Sequence, residues 1–305
     1  MPFIISDGQN SAVEQTPLVS VLVPLFNHSR YVEKCLDSII DNGWSRLELV
    51  IIDDGSVDDS YTKLKAWLEA NSDRFERLFA MSQSNIGITK TLNKLVKNAT
   101  GDFFVLIASD DYLLKGSIAE RYNYLVENAA MLAVFGDAIG VDDDGEKVVE
   151  SMIQGRYSGR INNLTDSRKI AKELIFNWCV PGPVFMARKE AYTELGGYDE
   201  RYFIEDRFFY LKLLSVGKLG FVNKPLAAYR LHSSAITGTK AKQIAVGLEV
   251  LRIERDLKSL FSGINRFYME IQIFSNFSQV AVSSGIAKHF LLLRCLIAKI
   301  LKRLF

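Results

Sequence analysis

Phe103-Phe104-Val105-Leu106-Ile107-Ala108-Ser109-Asp110-Asp111-Tyr112 is the stretch whose reading decides the fold. Its run of apolar residues, bounded upstream by Thr100-Gly101-Asp102, is the pattern of a strand buried on both faces, as in a parallel sheet. The strand runs directly into two adjacent carboxylates. In an open α/β sheet, ligands gather beyond the carboxyl ends of the strands, which puts Asp110 and Asp111 where chemistry is done. Two neighbouring carboxylates repel each other unless something positive joins them, and hard oxygen ligands suit Mg²⁺ or Mn²⁺. The competing reading is that one Asp caps a helix over 113–128 and the other is solvated, since Asp is a favoured N-cap.

Upstream, Leu18-Val19-Ser20-Val21-Leu22-Val23-Pro24 reads as a first strand stopped by proline, after a polar, irregular arm over 1–17. Asn27-His28-Ser29 opens a helix over 30–41, with Val32, Cys35, Leu36, Ile39 and Ile40 at helical spacing. A β-branched strand over 47–52 ends in Asp53-Asp54-Gly55-Ser56. A helix over 60–70, a strand over 77–81 and a helix over 89–98, led in by Ser84-Asn85-Ile86-Gly87, complete the alternation. Strand, helix, strand in this rhythm predicts an α/β fold with a mostly parallel sheet and right-handed crossovers. No G-x-G-x-x-G and no P-loop occurs, which argues against nicotinamide, flavin and ATPase chemistry. What stands out is two acidic doublets, Asp53-Asp54 and Asp110-Asp111, on one rim, because unpaired carboxylates crowded there destabilise each other.

Val19 to Asn27, Val50-Ile51-Ile52-Asp53-Asp54-Gly55-Ser56-Val57-Asp58, Asn85-x-Gly87 with Asn93, and Gly101-Asp102-Phe103 leading to Ser109-Asp110-Asp111 together resemble family-2 glycosyltransferases of the GT-A fold. The order of these motifs over roughly two hundred residues makes the match specific, with one departure: Ala108 stands where the family often has an acid. The resemblance implies that Asp54 accepts a hydrogen bond from the imide of a uracil or similar base, beside the backbone of Pro24 and Phe26. Asn27, Asn85 and Gly87 belong to the same nucleotide-sugar site. Asp110 would contact the ribose or the metal, Asp111 would ligate Mn²⁺ or Mg²⁺ directly, and the cation would bridge the diphosphate of a nucleotide sugar. Asp53 reads instead as the residue holding the turn at Gly55.

Beyond 112, a buried strand over 131–137 leads into a hairpin turning at Asp143-Asp144-Gly145. A helix over 167–177, an extended Pro181-to-Arg188 segment and a short helix over 189–195 ended by Gly196-Gly197 follow. Ile204-Glu205-Asp206-Arg207 then opens a helix over 208–216. Acids there ordinarily cap or complement the helix dipole. The resemblance assigns them another role, with Asp206 as the catalytic base and Glu205 positioning it or the acceptor. One displacement at the anomeric carbon inverts it, so an α-linked donor would give a β-linked product. The segments 219–222 and 226–234 close the similarity, with His232 either reaching the metal or diphosphate or serving as a satisfied loop residue. Arg230 reads as structural.

The 305 residues, 48% hydrophobic and 24% charged, fit a soluble α/β domain with an appendage. We expect an arm at 1–17, a catalytic domain at 18–236 (a nucleotide-binding half to 112, an acceptor half from 113) and a helical extension at 237–305. Three scattered cysteines make neither a disulfide framework nor a zinc site, and no basic n-region or long apolar run marks a signal peptide or a spanning helix. Net charge is +1, too little to suggest nucleic acid. After Glu270 there is no acid, only Lys288, Arg294, Lys299, Lys302 and Arg303; removing those five from +1 leaves −4 over 1–270. On a helical wheel over 286–305, all of these but Arg294 oppose Phe290, Leu293, Leu296, Ile297, Ile300, Leu301 and Leu304, the composition of a helix on an anionic membrane surface. A helix docked on the domain is the other reading. The expectation is a cytoplasmic enzyme peripheral to the inner face of the plasma membrane, passing a hexose from a UDP-sugar to a lipid-linked acceptor in surface-polysaccharide synthesis. The alternatives are a catalytically silent nucleotide-sugar-binding subunit and a nucleotidyltransferase, the latter disfavoured because no Gly-rich loop with a basic residue follows the first strand.

Overall fold

The computed structural model describes residues 3–5, 16–232 and 239–283. The basic segment 286–305 and residues 233–236 lie outside these. The strands in chain order are β1 (Phe3–Ile5), β2 (Val19–Leu25), β3 (Leu47–Asp53), β4 (Arg77–Ser82), β5 (Phe103–Leu106), β6 (Tyr112–Leu113), β7 (Ala133–Val141), β8 (Lys147–Val149), β9 (Met186–Arg188) and β10 (Leu219–Arg230). The helices are α1 (Val32–Ile40), α2 (Ser60–Asn71), α3 (Ile88–Asn98), α4 (Ser117–Glu127), α5 (Ile161–Leu164), α6 (Ile170–Phe176), α7 (Lys189–Leu195), α8 (Glu205–Ser215), α9 (Lys240–Leu257) and α10 (Gly263–Ser283).

One mixed sheet carries the fold, in the order β1-β4-β3-β2-β5-β9-β7-β10-β6, with β8 paired to β7. Strands β4, β3, β2 and β5 are parallel neighbours, and β7 and β10 are parallel to each other. The short β9 lies antiparallel between β5 and β7, so all six long strands point the same way. Every residue of β3 is buried, as the continuous apolar run requires of a strand covered on both faces. Phe3–Ile5, inside the stretch expected to be an irregular arm, pairs antiparallel with Leu78–Ala80 instead. Three successive β-favouring residues there can add to the otherwise open edge of β4.

Three further departures bear on the site. The helix expected from 113 starts at Ser117, because Tyr112 and Leu113 pair with Ala228 and Ala227 to make β6. Its N-cap position is Gly116, so neither Asp110 nor Asp111 caps it. The apolar segments at 219–222 and from 226, unassigned from sequence alone, join in one strand, β10, which crosses Pro225 by shifting register against β7; proline removes a ladder donor, and an irregularity absorbs the loss. Helix α8 begins at Glu205 rather than 208, placing both acids in its first turn. Helices α9 and α10 pack on the sheet domain through Ile253, Leu257 and Met269, all buried in the common core.

Candidate active site

The strand ends after β2 and β3 are tied to each other before any ligand is considered. Asn27 takes a left-handed backbone at φ 55°, a conformation Asn tolerates. Its side-chain oxygen accepts from Val57 N at 2.8 Å, while its own N–H donates to Ser56 Oγ at 2.8 Å. Asp58 accepts from Ser29 N and Ser60 N, both at 3.0 Å. Burial alone would lift its carboxyl; the hydrogen bonds from Ser60 and Ser29 outweigh this and bring it down to about 2. Pro24 is half-buried opposite Ile52 in the β2–β3 ladder, and Phe26, 42% exposed, stands free at the strand end.

Asp53 holds its turn as expected, accepting from Ser56 N at 3.3 Å and Ser82 Oγ at 2.7 Å. Asp54 faces the loop before α3. It accepts from Ile86 N at 2.9 Å, Gly87 N at 3.0 Å and Gln83 Nε2 at 2.9 Å, so it fixes the Asn85–Gly87 segment. Gly55 follows the two acids at φ +79°, and a Cβ there would stand 2.7 Å from Asn85 N. Gly55→Ala should therefore cost about 2 kcal/mol, from the left-handed backbone and the contact together, measurable as a lowered denaturation midpoint. An unchanged midpoint would show that the loop yields freely.

Around Asp110 the chain brings together groups from four segments. Asp110 Oδ2 is 2.9 Å from His232 Nε2 and 3.7 Å from His28 Nε2. The Nδ1 atom of His28 pairs with Ser109 Oγ at 2.8 Å, and that of His232 with Asp143 Oδ1 at 2.8 Å. Tyr31 Oη also donates to Asp143, at 3.1 Å. Burial, ahead of the neighbouring charges, pulls the His28 imidazole below its ordinary value and favours the neutral ring. Asp111 is 3% exposed and accepts from Arg230 N at 2.8 Å. Burial first, then the charge of Asp110, pushes its carboxyl well above the ordinary range, against the opposing pull of Arg230. Arg230 is structural in the expected sense: its Nε donates to Asp110 O at 2.9 Å, and its guanidinium lies 4.3 Å from the Tyr31 ring centroid. Among the described residues, no three carboxylates, imidazoles or thiols stand as a ready-made metal cage.

Glu205 and Asp206 are partly buried at the start of α8, where the N-cap Ile204 supplies no side-chain bond. Burial, then the charge of Asp206, pushes the Glu205 carboxyl up to about 8. Burial also raises Asp206, while the Arg207 backbone N–H and guanidinium hold it down. Tyr157 and Tyr229 are hydrogen-bonded to each other, and Tyr157 feels the charges of both Asp206 and Asp111. Burial first, then Tyr157 and the carboxylates of Asp111, Asp110 and Asp206, raises the Tyr229 phenol, so both pairs act on one residue.

Reading the chain alone passed over His28, seen only as part of a helix opening, and Asp143, seen only as a hairpin turn. Both lie at strand ends, and that was the available signal. Their convergence on Asp110 and His232 depends on the hairpin folding back over α1.

The fold is that of GT-A glycosyltransferases. It matches the mannosyltransferase PcManGT from Pyrobaculum calidifontis, solved with GDP-Man and Mn²⁺, at a TM-score of 0.64 and 18% identity, over 93% of this chain and 74% of that one. S. aureus TarS in complex with UDP matches at 0.60 and 18%, over 87% and 72%. The chain belongs to glycosyl transferase family 2, whose model matches residues 20–196. Glu205, Asp206 and His232 fall outside that match. Among relatives, the glycosyltransferase GlyA of Streptococcus pneumoniae is 26% identical over 72% of this chain, and the chondroitin synthase of Escherichia coli 27% over 71%. The chain spans only 31% and 29% of those two proteins. The putative glycosyltransferase EpsH of Bacillus subtilis is 23% identical over 75% of the chain and 65% of its own length.

Proposed function

We propose that the protein is an inverting, metal-dependent glycosyltransferase that moves a hexose from a nucleotide sugar, UDP-linked, to a lipid-linked glycan acceptor in surface-polysaccharide assembly. The observation that carries this reading is the convergence of Asp110, His232 and Asp143 beyond β5, with Asp110 Oδ2 2.9 Å from His232 Nε2 and His232 Nδ1 2.8 Å from Asp143, in a fold whose helix α8 opens on Glu205 and Asp206. The nucleotide-binding half, 18–112, offers Phe26 as an exposed face for the base, with Pro24, Asn27 and the Asn85–Gly87 loop, held by Asp54, around it. The acceptor half, 113–236, offers Glu205 and Asp206.

A divalent cation suits the residues at the first end. Asp110 and Asp111 supply hard oxygens, and in the tautomer that donates Nδ1–H to Asp143, His232 Nε2, now 2.9 Å from Asp110 Oδ2, would offer its lone pair to an ion bound beside that oxygen. Asp111, Asp110 and His232 would hold it, and bound Mn²⁺ or Mg²⁺ would supply charge to stabilise the departing diphosphate. Asp206 takes the proton of the acceptor hydroxyl as that oxygen attacks the anomeric carbon and the nucleoside diphosphate leaves, while Glu205 beside it orients the pair. Attack opposite the leaving group gives inversion.

Among the described residues, no helix is long and apolar enough to cross a membrane. The acid-free segment 286–305, with Lys288, Arg294, Lys299, Lys302 and Arg303, supports peripheral attachment to the cytoplasmic face of an anionic membrane, where a lipid-linked acceptor resides.

A nucleotide-sugar panel with a lipid-diphosphate GlcNAc acceptor, run with Mn²⁺ or EDTA, tests the reading through release of the nucleoside diphosphate. Turnover of one donor, lost on chelation, is the expected result. Tight UDP binding without turnover of any donor would point to a silent binding subunit or to a different acceptor.

A further inference from the structure

The segment that carries the proposed base, residues 199–207, is clamped from both sides. On one side α3 holds it, with Asn93 Nδ2 donating to Tyr198 O and Thr89 Oγ1 to Tyr202 O, both at 2.8 Å. On the other side the holder is α9, outside the family match. Phe203 N donates to Glu249 Oε1 at 2.9 Å, and the Tyr202 hydroxyl donates to Asp256. Arg207 Nη2 donates to Glu254 Oε1 at 2.5 Å, and Asn276 Nδ2 of α10 secures the other oxygen, Oε2, at 2.8 Å. Arg207 and Glu254 are 4% and 0% exposed, and the guanidinium lies 4.8 Å from the Trp178 ring centroid.

These contacts exceed what adhesion requires. Helix α9 already buries Ile253 and Leu257 in the common hydrophobic core, an apolar contact that docks it without these polar bonds. A buried ion pair adds little net stability, because desolvation offsets the attraction; what it can supply is a single permitted geometry. The polar contacts of α9 with this segment fall on Arg201, Tyr202, Phe203 and Arg207, the last three bracketing Glu205-Asp206 at a helix start that lacks a side-chain cap. We propose that α9 is a working part of the acceptor site, with Glu249 and Glu254 as positioning residues that fix where Asp206 meets the acceptor hydroxyl. This rests on the glycosyl-transfer reading above.

Glu249 gives the cleanest test, since Gln keeps an oxygen for the Phe203 N–H and Ala keeps none. Glu249→Ala should lower kcat for transfer about tenfold, the effect of losing one orienting hydrogen bond. Nucleotide Kd should stay at the wild-type value, Tm should fall by no more than about 4 °C, the worth of one hydrogen bond in a chain of this size, and Glu249→Gln should restore kcat to within about twofold. Hydrogen exchange should quicken at the Phe203 amide of Glu249→Ala while β2 and β3 stay protected. Wild-type kcat in Glu249→Ala, parallel loss of nucleotide binding and Tm, or failure of Gln to restore would each overturn the proposal. Exchange needs no turnover: if the wild type transfers no sugar, the glycosyltransferase reading fails, while Phe203 exchange still reports whether Glu249 holds the loop. An unchanged exchange rate there would overturn the clamp by itself.

Discussion

Replacing Asp206 with Asn should abolish transfer, lowering kcat about 10²–10⁴-fold, the span that a positioned general base contributes. The assignment to Asp206 rather than Glu205 follows from their surroundings. Both carboxyls are raised by burial, but the Arg207 N–H and guanidinium favour the ionised form of Asp206, whereas Glu205 faces the charge of Asp206 and is pushed up to about 8. These surroundings favour the ionised form at Asp206 over Glu205, which makes Asp206 the better base of the pair. Asn has the same shape and cannot accept the proton. Nucleotide affinity should not change, because Asp206 lies on α8, away from the loops after β2 and β3. The pH dependence has a definite sign. Activity should fall as pH drops through the raised Asp206 value, so the acid limb lies above the ordinary carboxylate range. Stability moves the other way: a raised folded-state pKa favours the protonated acid, so stability due to Glu205 is present below its unfolded value and lost as pH rises toward 8. Asp206→Asn removes the neighbouring charge and should lessen that alkaline loss. An active Asp206→Asn enzyme would place the base elsewhere.

Much of this was legible in the chain. The runs of β2, β3 and β5 are apolar almost without interruption, so the parallel core announces itself, and the Asp53 turn follows from Gly55 two residues on. What failed to read locally depended on distant partners. Tyr112-Leu113 looks like the start of a helix until Ala227-Ala228 is there to pair with it. The continuity of β10 through Pro225 is hidden because proline ordinarily ends a strand, and only the parallel neighbour β7 shows the register shift that accommodates it. Glu249 and Glu254 resemble solvated charges on an amphipathic helix. Their burial against Phe203 and Arg207 is a tertiary fact with no periodic signal.

Asp111→Asn should remove most of the metal-dependent rate, about 10²–10³-fold, because several kcal/mol of charge stabilisation on the leaving diphosphate would go with the cation. The substitution is conservative in every other respect. Asn keeps an oxygen for the Arg230 N–H, the contact that orients Asp111 in the folded chain. It also deletes a charge whose ionised form is disfavoured first by burial and then by Asp110. Without a cation, the variant should therefore be no less stable than the wild type, and a melting curve in EDTA checks this. With Mn²⁺ and UDP the order should reverse: the wild type gains Tm on adding the metal, since an ion bound only by the folded state stabilises it, and the variant does not. Mn²⁺ titration followed by electron paramagnetic resonance reads the same loss without any turnover. A variant that binds Mn²⁺ as tightly as the wild type would leave Asp110 and His232 as the holders of the ion, and Asp111 as a buried acid that merely fixes β10 against the end of β5.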